Sequence, residues 1–225
     1  MLTAEEVKPL LEKQPWSLPF WVGTVMTRPD LPYDPIFRIR PWKDSGAYLM
    51  DDPLHIWEMP LPGQGYIVAL DPSFSGEDSA GIAVVDYRGR QVAEARDEGK
   101  DLFPQVNAAV YLAQFYNEAR LVIEENGPGG MAVHWAKERY SYLWRERTSS
   151  GPEGGFYTTS KNRERMIECF HESLKWGNHL LRSLRLRAEL DHSKTGEGRC
   201  TDDLTMAYMI AHYCTPGPAQ ARGNW

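Results

Sequence analysis

The chain has 225 residues, 42% hydrophobic and 25% charged, the profile of a folded globular protein and not of a disordered, collagenous or coiled-coil one. That length fits one large domain or one domain with an appendage. Lys and Arg number 25 against 31 Asp and Glu, a formal charge of −6, which is the opposite of the basic balance of a nucleic-acid coat protein. Cys169, Cys200 and Cys214 form no CxxC pair, so neither a disulfide framework nor a thiolate zinc site is expected, and a reducing cytoplasmic setting is the default. The N-terminus has no signal pattern, and no stretch approaches the roughly 18 apolar residues of a membrane span.

In chain order, Thr3 and Glu6 make a capping-box pattern ahead of Val7, Leu10 and Leu11, predicting a short helix that Pro15 ends. From Trp16 to Pro62 prolines recur among Trp16, Trp21, Trp42 and Trp57. Such a segment breaks helices while carrying large apolar surface, so residues 1–53 read as an extended arm or linker, with a short alternating strand at 54–59. The core begins at Gly65. Apolar runs at 66–70, 81–85 and 91–95 predict three successive antiparallel strands. Phe103, Val106, Val110 and Ala113 then fall at helical spacing within 102–118, with Pro104 tolerated in the first turn. A strand at 121–123, a helix at 130–138, a short strand at 142–144 and a glycine-rich loop or hairpin around 151–155 follow. Helices are expected at 160–176 and 184–190, and a last one where Leu204, Ala207, Tyr208 and Ala211 repeat at i, i+3, i+4, i+7.

The acids sit at informative places. Asp71 directly follows the run 66–70, Glu124 and Glu125 directly follow 121–123, and Asp202 and Asp203 open the last helix. A carboxylate at the end of a buried strand costs several kcal/mol unless a cation or hydrogen bonds offset it. Each acid alone has a structural reading, since an Asp before Pro72 suits a turn and acids at a helix start satisfy free amides. Three such positions on separate core elements favour one shared cause, a site for hard divalent ions that take oxygen ligands. Two ions about 4 Å apart can activate water and stabilise the leaving oxygen of a phosphodiester. Other chemistries lack their signatures, because the chain has no GxxxxGK[ST], no HExxH and no GxSxG. Trp57, Trp135, Trp144 and Trp176 read as packing aromatics. The charge is also unevenly placed: residues 61–134 hold 11 acids and 5 bases, whereas residues 135–225 hold 11 acids and 14 bases. Lys161, Arg163, Arg165, Lys175, Arg182, Arg185, Arg187, Lys194 and Arg199 could therefore track phosphates.

These motifs together resemble the nuclease domain of a tailed-phage large terminase, in the ribonuclease H-like superfamily. Residues 53–60 leading into Gly65-Tyr66-Ile67-Val68-Ala69-Leu70-Asp71-Pro72 are similar to that family's first acidic motif, and Val122-Ile123-Glu124-Glu125-Asn126-Gly127-Pro128-Gly129 to its second. Phe156-Tyr157-Thr158-Thr159-Ser160-Lys161 resembles the segment before the third motif, and Thr201-Asp202-Asp203-Leu204 the third itself. The resemblance implies an α/β fold with a mixed central sheet flanked by helices, and a nuclease domain at 54–215 between an extension at 1–53 and a tail at 216–225. It implies that Asp71, Glu124, Asp202 and Asp203 hold two Mg²⁺ or Mn²⁺ ions, with Asp71 shared by both ions. The motif spacing favours Glu124 over Glu125; strand parity leaves that choice open, because both faces are apolar. Lys161, Arg163 and Arg165 are implied to steady double-stranded DNA. A terminase ATPase, in cis or as a separate chain, and the portal and small terminase subunit are the partners implied, in an infected bacterial cytoplasm. The loop Asp71-Pro72-Ser73-Phe74-Ser75-Gly76 departs from the family's smaller residues, so that Phe74 either caps the site or packs beneath it. Rival readings are a junction resolvase or transposase-like nuclease, an actin-like or sugar-kinase ATPase lobe, and a non-catalytic packaging-motor subunit.

Overall fold

A computed structural model describes residues 4–27, 35–41, 53–74, 79–97, 99, 101–148, 151–176, 180–192 and 203–216. Three strands in succession, β4 (Tyr66–Asp71), β5 (Ala80–Asp86) and β6 (Gln91–Asp97), form the antiparallel meander expected from their apolar runs. Helix α2 (Leu102–Phe115) starts where the Asp101 side chain accepts from the Phe103 N–H at 3.0 Å, which satisfies one of its open amides. It carries the chain back across the sheet, so that β7 (Arg120–Ile123) lies parallel to β4 on the side away from β5. Helix α3 (Gly129–Lys137) follows, then the hairpin β8 (Arg145–Thr148) and β9 (Gly151–Gly154), then α4 (Ser160–Trp176), α5 (Leu184–His192) and α6 (Asp203–Tyr213).

The segment before residue 54 departs from the extended arm expected of it. After α1 (Ala4–Glu12), β1 (Trp21–Thr27) and β2 (Pro35–Pro41) make a hairpin, and β1 pairs with β3 (Leu54–Ile56), which pairs with β6. The result is one seven-stranded sheet in the order β2-β1-β3-β6-β5-β4-β7. Prolines at both ends of β2 lie where an edge strand tolerates them. The Trp57 indole N–H donates to the Ser17 carbonyl at 3.2 Å and the Ser17 N–H to the Arg182 carbonyl at 3.0 Å, so the stretch between α1 and β1 is docked along the sheet. Strand β3 ends at Ile56, short of Met59. The strand expected at 142–144 reduces to one bridge between Leu121 and Leu143. The Thr3 cap, Trp42, Lys194, Arg199, Cys200 and Asp202 lie outside the described residues.

Two apolar layers enclose the sheet. One face sends Val68, Leu70, Ile82, Val84, Leu121 and Ile123 against α2 and α3. The other sends Ile67, Ala69, Ala83, Val85 and Val122 against α4, α5 and α6. Double-sided burial explains why these strands read as continuous apolar runs without alternation. Among the described residues no helix is long and apolar enough to cross a membrane.

Candidate active site at the carboxyl ends of β4 and β7

Asp71 is the last residue of β4 and stands opposite Gly81 of β5. In the parallel ladder Leu70 pairs with Ile123, and the Glu124 N–H donates to the Leu70 carbonyl at 2.9 Å, so Asp71 and Glu124 end neighbouring strands side by side. Alternation then assigns their face. Leu70 and Ile123 belong to the α2/α3 layer, and the next residue on each strand turns to the opposite layer, where α6 packs. Glu125 returns to the α2/α3 side, where its side chain lies against Gly155 beside Val133. Glu124, and not Glu125, therefore shares a face with Asp71.

The third motif reaches this place through a glycine. A β-carbon on Gly81 would collide with the Asp203 carbonyl and stand 2.8 Å from the Leu204 nitrogen. The start of α6 thus rests on the backbone of β5 at the residue facing Asp71. Gly81→Ala is expected to push α6 outward and to cost about 1–3 kcal/mol, the range for overpacking; an unchanged denaturation midpoint would count against this packing.

The glycine-rich loop after β7 has a packing logic of its own. Gly127 has φ +56°, a region that favours glycine, and a β-carbon on Gly129 would overlap the Glu124 carbonyl. Asn126 clamps the loop from the other side, donating to the Thr158 carbonyl at 2.7 Å and accepting from the Thr158 N–H at 2.8 Å. On the far side of Asp71, buried Gln105 of α2 accepts from the Ser73 N–H at 3.2 Å and donates to the Ser73 carbonyl at 2.9 Å. Both loops that leave the carboxylate pair are held by a buried or half-buried amide side chain. Phe74 is 63% exposed, which excludes packing beneath the site.

Asp203 begins α6, and its Oδ2 accepts from the Ser79 N–H at 3.0 Å and from the Ser79 hydroxyl at 2.9 Å. Arg96 of β6, in register with Gly81, donates Nε to the Ser79 hydroxyl at 2.6 Å. Glu189 of α5 is buried and accepts from both the Thr205 N–H and the Thr205 hydroxyl at 2.9 Å. Burial pushes the Glu189 carboxyl up to about 7, against the Thr205 hydrogen bonds, which favour its charged form. Sequence reasoning missed Glu189, Ser79 and Arg96. Only Glu189 left a trace, as an acid on the apolar stripe of Leu186 and Leu190.

The donor set is all oxygen and suits a hard divalent ion, with Asp71 and Glu124 ending adjacent strands and Asp203 at the start of α6 above Gly81. Among the described residues no three acids, histidines or cysteines converge closely enough to hold a metal. Cys169 is exposed and Cys214 is buried. Of the expected phosphate-tracking bases, Lys161, Arg163, Arg165 and Lys175 are exposed on α4. Arg185 and Arg182 are not such bases. Arg185 is 5% exposed and pairs with Glu94 at 2.8 Å, Arg182 pairs with Glu58, and the Arg187 guanidinium stands 5.6 Å from the centre of the Trp16 ring.

A β4-β5-β6 meander with β7 added in parallel, carboxylates at the ends of β4 and β7, and an acid-headed helix across them define a ribonuclease H-like α/β domain. No protein-family model matches the chain, and no curated protein does. Among solved structures it is similar to the large terminase nuclease of thermophilic phage G20c with bound zinc, with a TM-score of 0.58 at 17% identity over 73% of this chain and 89% of that one. The Thermus phage P74-26 large terminase nuclease domain gives 0.58 at 17%, over 74% and 87%. The nuclease domain of the large terminase subunit gp2 of bacterial virus Sf6 gives 0.50 at 17%, over 72% and 91%. At that identity the likeness establishes the fold: this chain has the ribonuclease H-like architecture found in phage terminase nucleases. The G20c nuclease has also been crystallised with bound cobalt and with bound magnesium.

Proposed function

We propose that the chain is a divalent-metal-dependent endonuclease that cuts concatemeric double-stranded phage DNA during genome packaging. The observation that carries this reading is the placement of Asp71 and Glu124 on one face at the ends of adjacent parallel strands, with the start of α6 at Asp203 and Leu204 seated over Gly81. The metal-bound terminase nucleases of the same fold support it. In this reading Asp71, on the strand between β5 and β7, serves both ions, with Glu124, Asp202 and Asp203 as the other ligands. Two Mg²⁺ or Mn²⁺ ions held there would supply a water nucleophile at neutral pH and stabilise the departing 3′ oxygen. In this reading residues 54–215 form the nuclease unit. Its partners are duplex DNA, a terminase ATPase in cis or as a separate chain, the portal and the small terminase subunit, within the host cytoplasm.

Calorimetric titration with Mn²⁺ and incubation with plasmid test the reading together. Binding accompanied by nicking and linearisation supports it, and absence of binding removes it. Preference for four-way junctions over linear duplex would shift it to a junction resolvase. Lys161, Arg163 and Arg165, exposed along α4, are the bases proposed to hold the backbone. Replacing all three by alanine should reduce the slope of log affinity against log salt by roughly 0.9 per lost phosphate contact. An unchanged slope would place the DNA elsewhere.

A further inference from the structure

The first turn of α6 is gripped from two sides. On one side Ser79 gives its single hydroxyl proton to Asp203 Oδ2 and accepts from Arg96 Nε, a chain with one direction, from guanidinium through hydroxyl to carboxylate. Charge assistance at both ends strengthens such bonds. On the other side Glu189 takes both donors of Thr205. Arg96 occupies the row of Asp71 and Gly81, so the cation is built into the sheet two strands from the acid pair.

Resting on the nuclease reading, we infer that Ser79 and Arg96 are positioning residues, which orient the Asp203 carboxylate, seat the first turn of α6 on β5, and thereby set how the third acidic motif meets a divalent ion beside Asp71 and Glu124. A lysine at 96 keeps the charge but loses the planar Nε donor that fits the hydroxyl. Ser79→Ala is the milder change, since the backbone N–H to Asp203 remains.

Mn²⁺ affinity, measured by calorimetry on the full chain, is the readout that a merely structural role would not move. Ser79→Ala and Arg96→Lys are expected to fold and to bind Mn²⁺ about 10-fold more weakly or worse, as loss of an outer-shell partner does. With plasmid, kcat should fall while KM for DNA stays. Wild-type Mn²⁺ affinity in both folded variants overturns the inference while leaving the nuclease reading in place. If Arg96→Lys does not fold, Ser79→Ala decides alone. A wild-type chain that neither binds Mn²⁺ nor cuts plasmid overturns the nuclease reading, and the inference with it.

Discussion

Asp71→Ala is expected to abolish Mn²⁺-dependent cutting without unfolding the protein. Ile67 to Leu70 of the same strand are fully buried, on both faces of the sheet, and Asp71 breaks that run only at its last, half-buried position. Alanine at that strand-end position leaves the buried run intact, so the thermal midpoint should change little. Activity should fall by more than the roughly 10–100-fold expected for an outer-shell partner, with Mn²⁺ binding weakened in parallel. Circular dichroism, calorimetry and plasmid cutting on the same preparation separate the two effects. Cutting at the wild-type level in a folded Asp71→Ala chain would end the assignment.

Arg185→Ala should be the most damaging change away from the site. Glu94 of β6 is completely buried and accepts from Arg185 Nε at 2.8 Å and from Gln91 Nε2 at 3.1 Å, with His55 Nδ1 3.4 Å away. Gln91 in turn accepts from the Arg182 and Ser183 N–H groups at 2.8 and 3.0 Å, and the Ser183 hydroxyl accepts from the Leu186 N–H at the start of α5. One buried carboxylate thereby joins β3, β6 and α5. Removing its arginine leaves a desolvated charge, at a cost of about 3–5 kcal/mol. Denaturant titration should show a lower midpoint with an unchanged m-value. Replacing the pair together, as Glu94→Leu with Arg185→Met, should cost clearly less than Arg185→Ala, since no orphan charge remains. Equal losses would mean that packing and not charge dominates.

The same network sets an acid limit. Burial alone would raise the Glu94 carboxyl, but Arg185 and then His55 more than offset it, holding the group at about 2 against an ordinary 4.5. A carboxyl depressed in the folded state contributes its full stability above the unfolded value. That contribution is lost as pH falls from near 4.5 through about 2. Wild type should lose stability across this window, and Arg185→Ala should lose less of it, because the variant no longer favours the charged form as strongly.

Much of the architecture was legible because it is local. Apolar runs, helical spacing and glycine or proline breaks are properties of ten-residue windows, and β4 to β7, α2, α3, α4 and α6 all lie close to their expected positions. The acids could be picked out for a similar reason: a charge directly after a buried strand is conspicuous in one dimension. The segment at 21–41 was not legible, because its strands are stabilised by pairing with β3, a partner outside the window, while its prolines signal only the absence of helix. The basic cluster misled in the opposite sense. Arg185 looks like any other base in sequence, and only the fold brings buried Glu94 opposite it.

Backbone periodicity along the chain fixes the order of elements, and with it the fact that acids stand at three strand or helix ends. Tertiary structure decided which acids share a face, because parity has no meaning until β7 is registered against β4. It also decided that Asp203 is held by Ser79 and Arg96, residues 124 and 107 positions away that no local pattern could connect. Side chains brought together by sheet register, and not by spacing along the chain, are what turn a set of acidic motifs into a site.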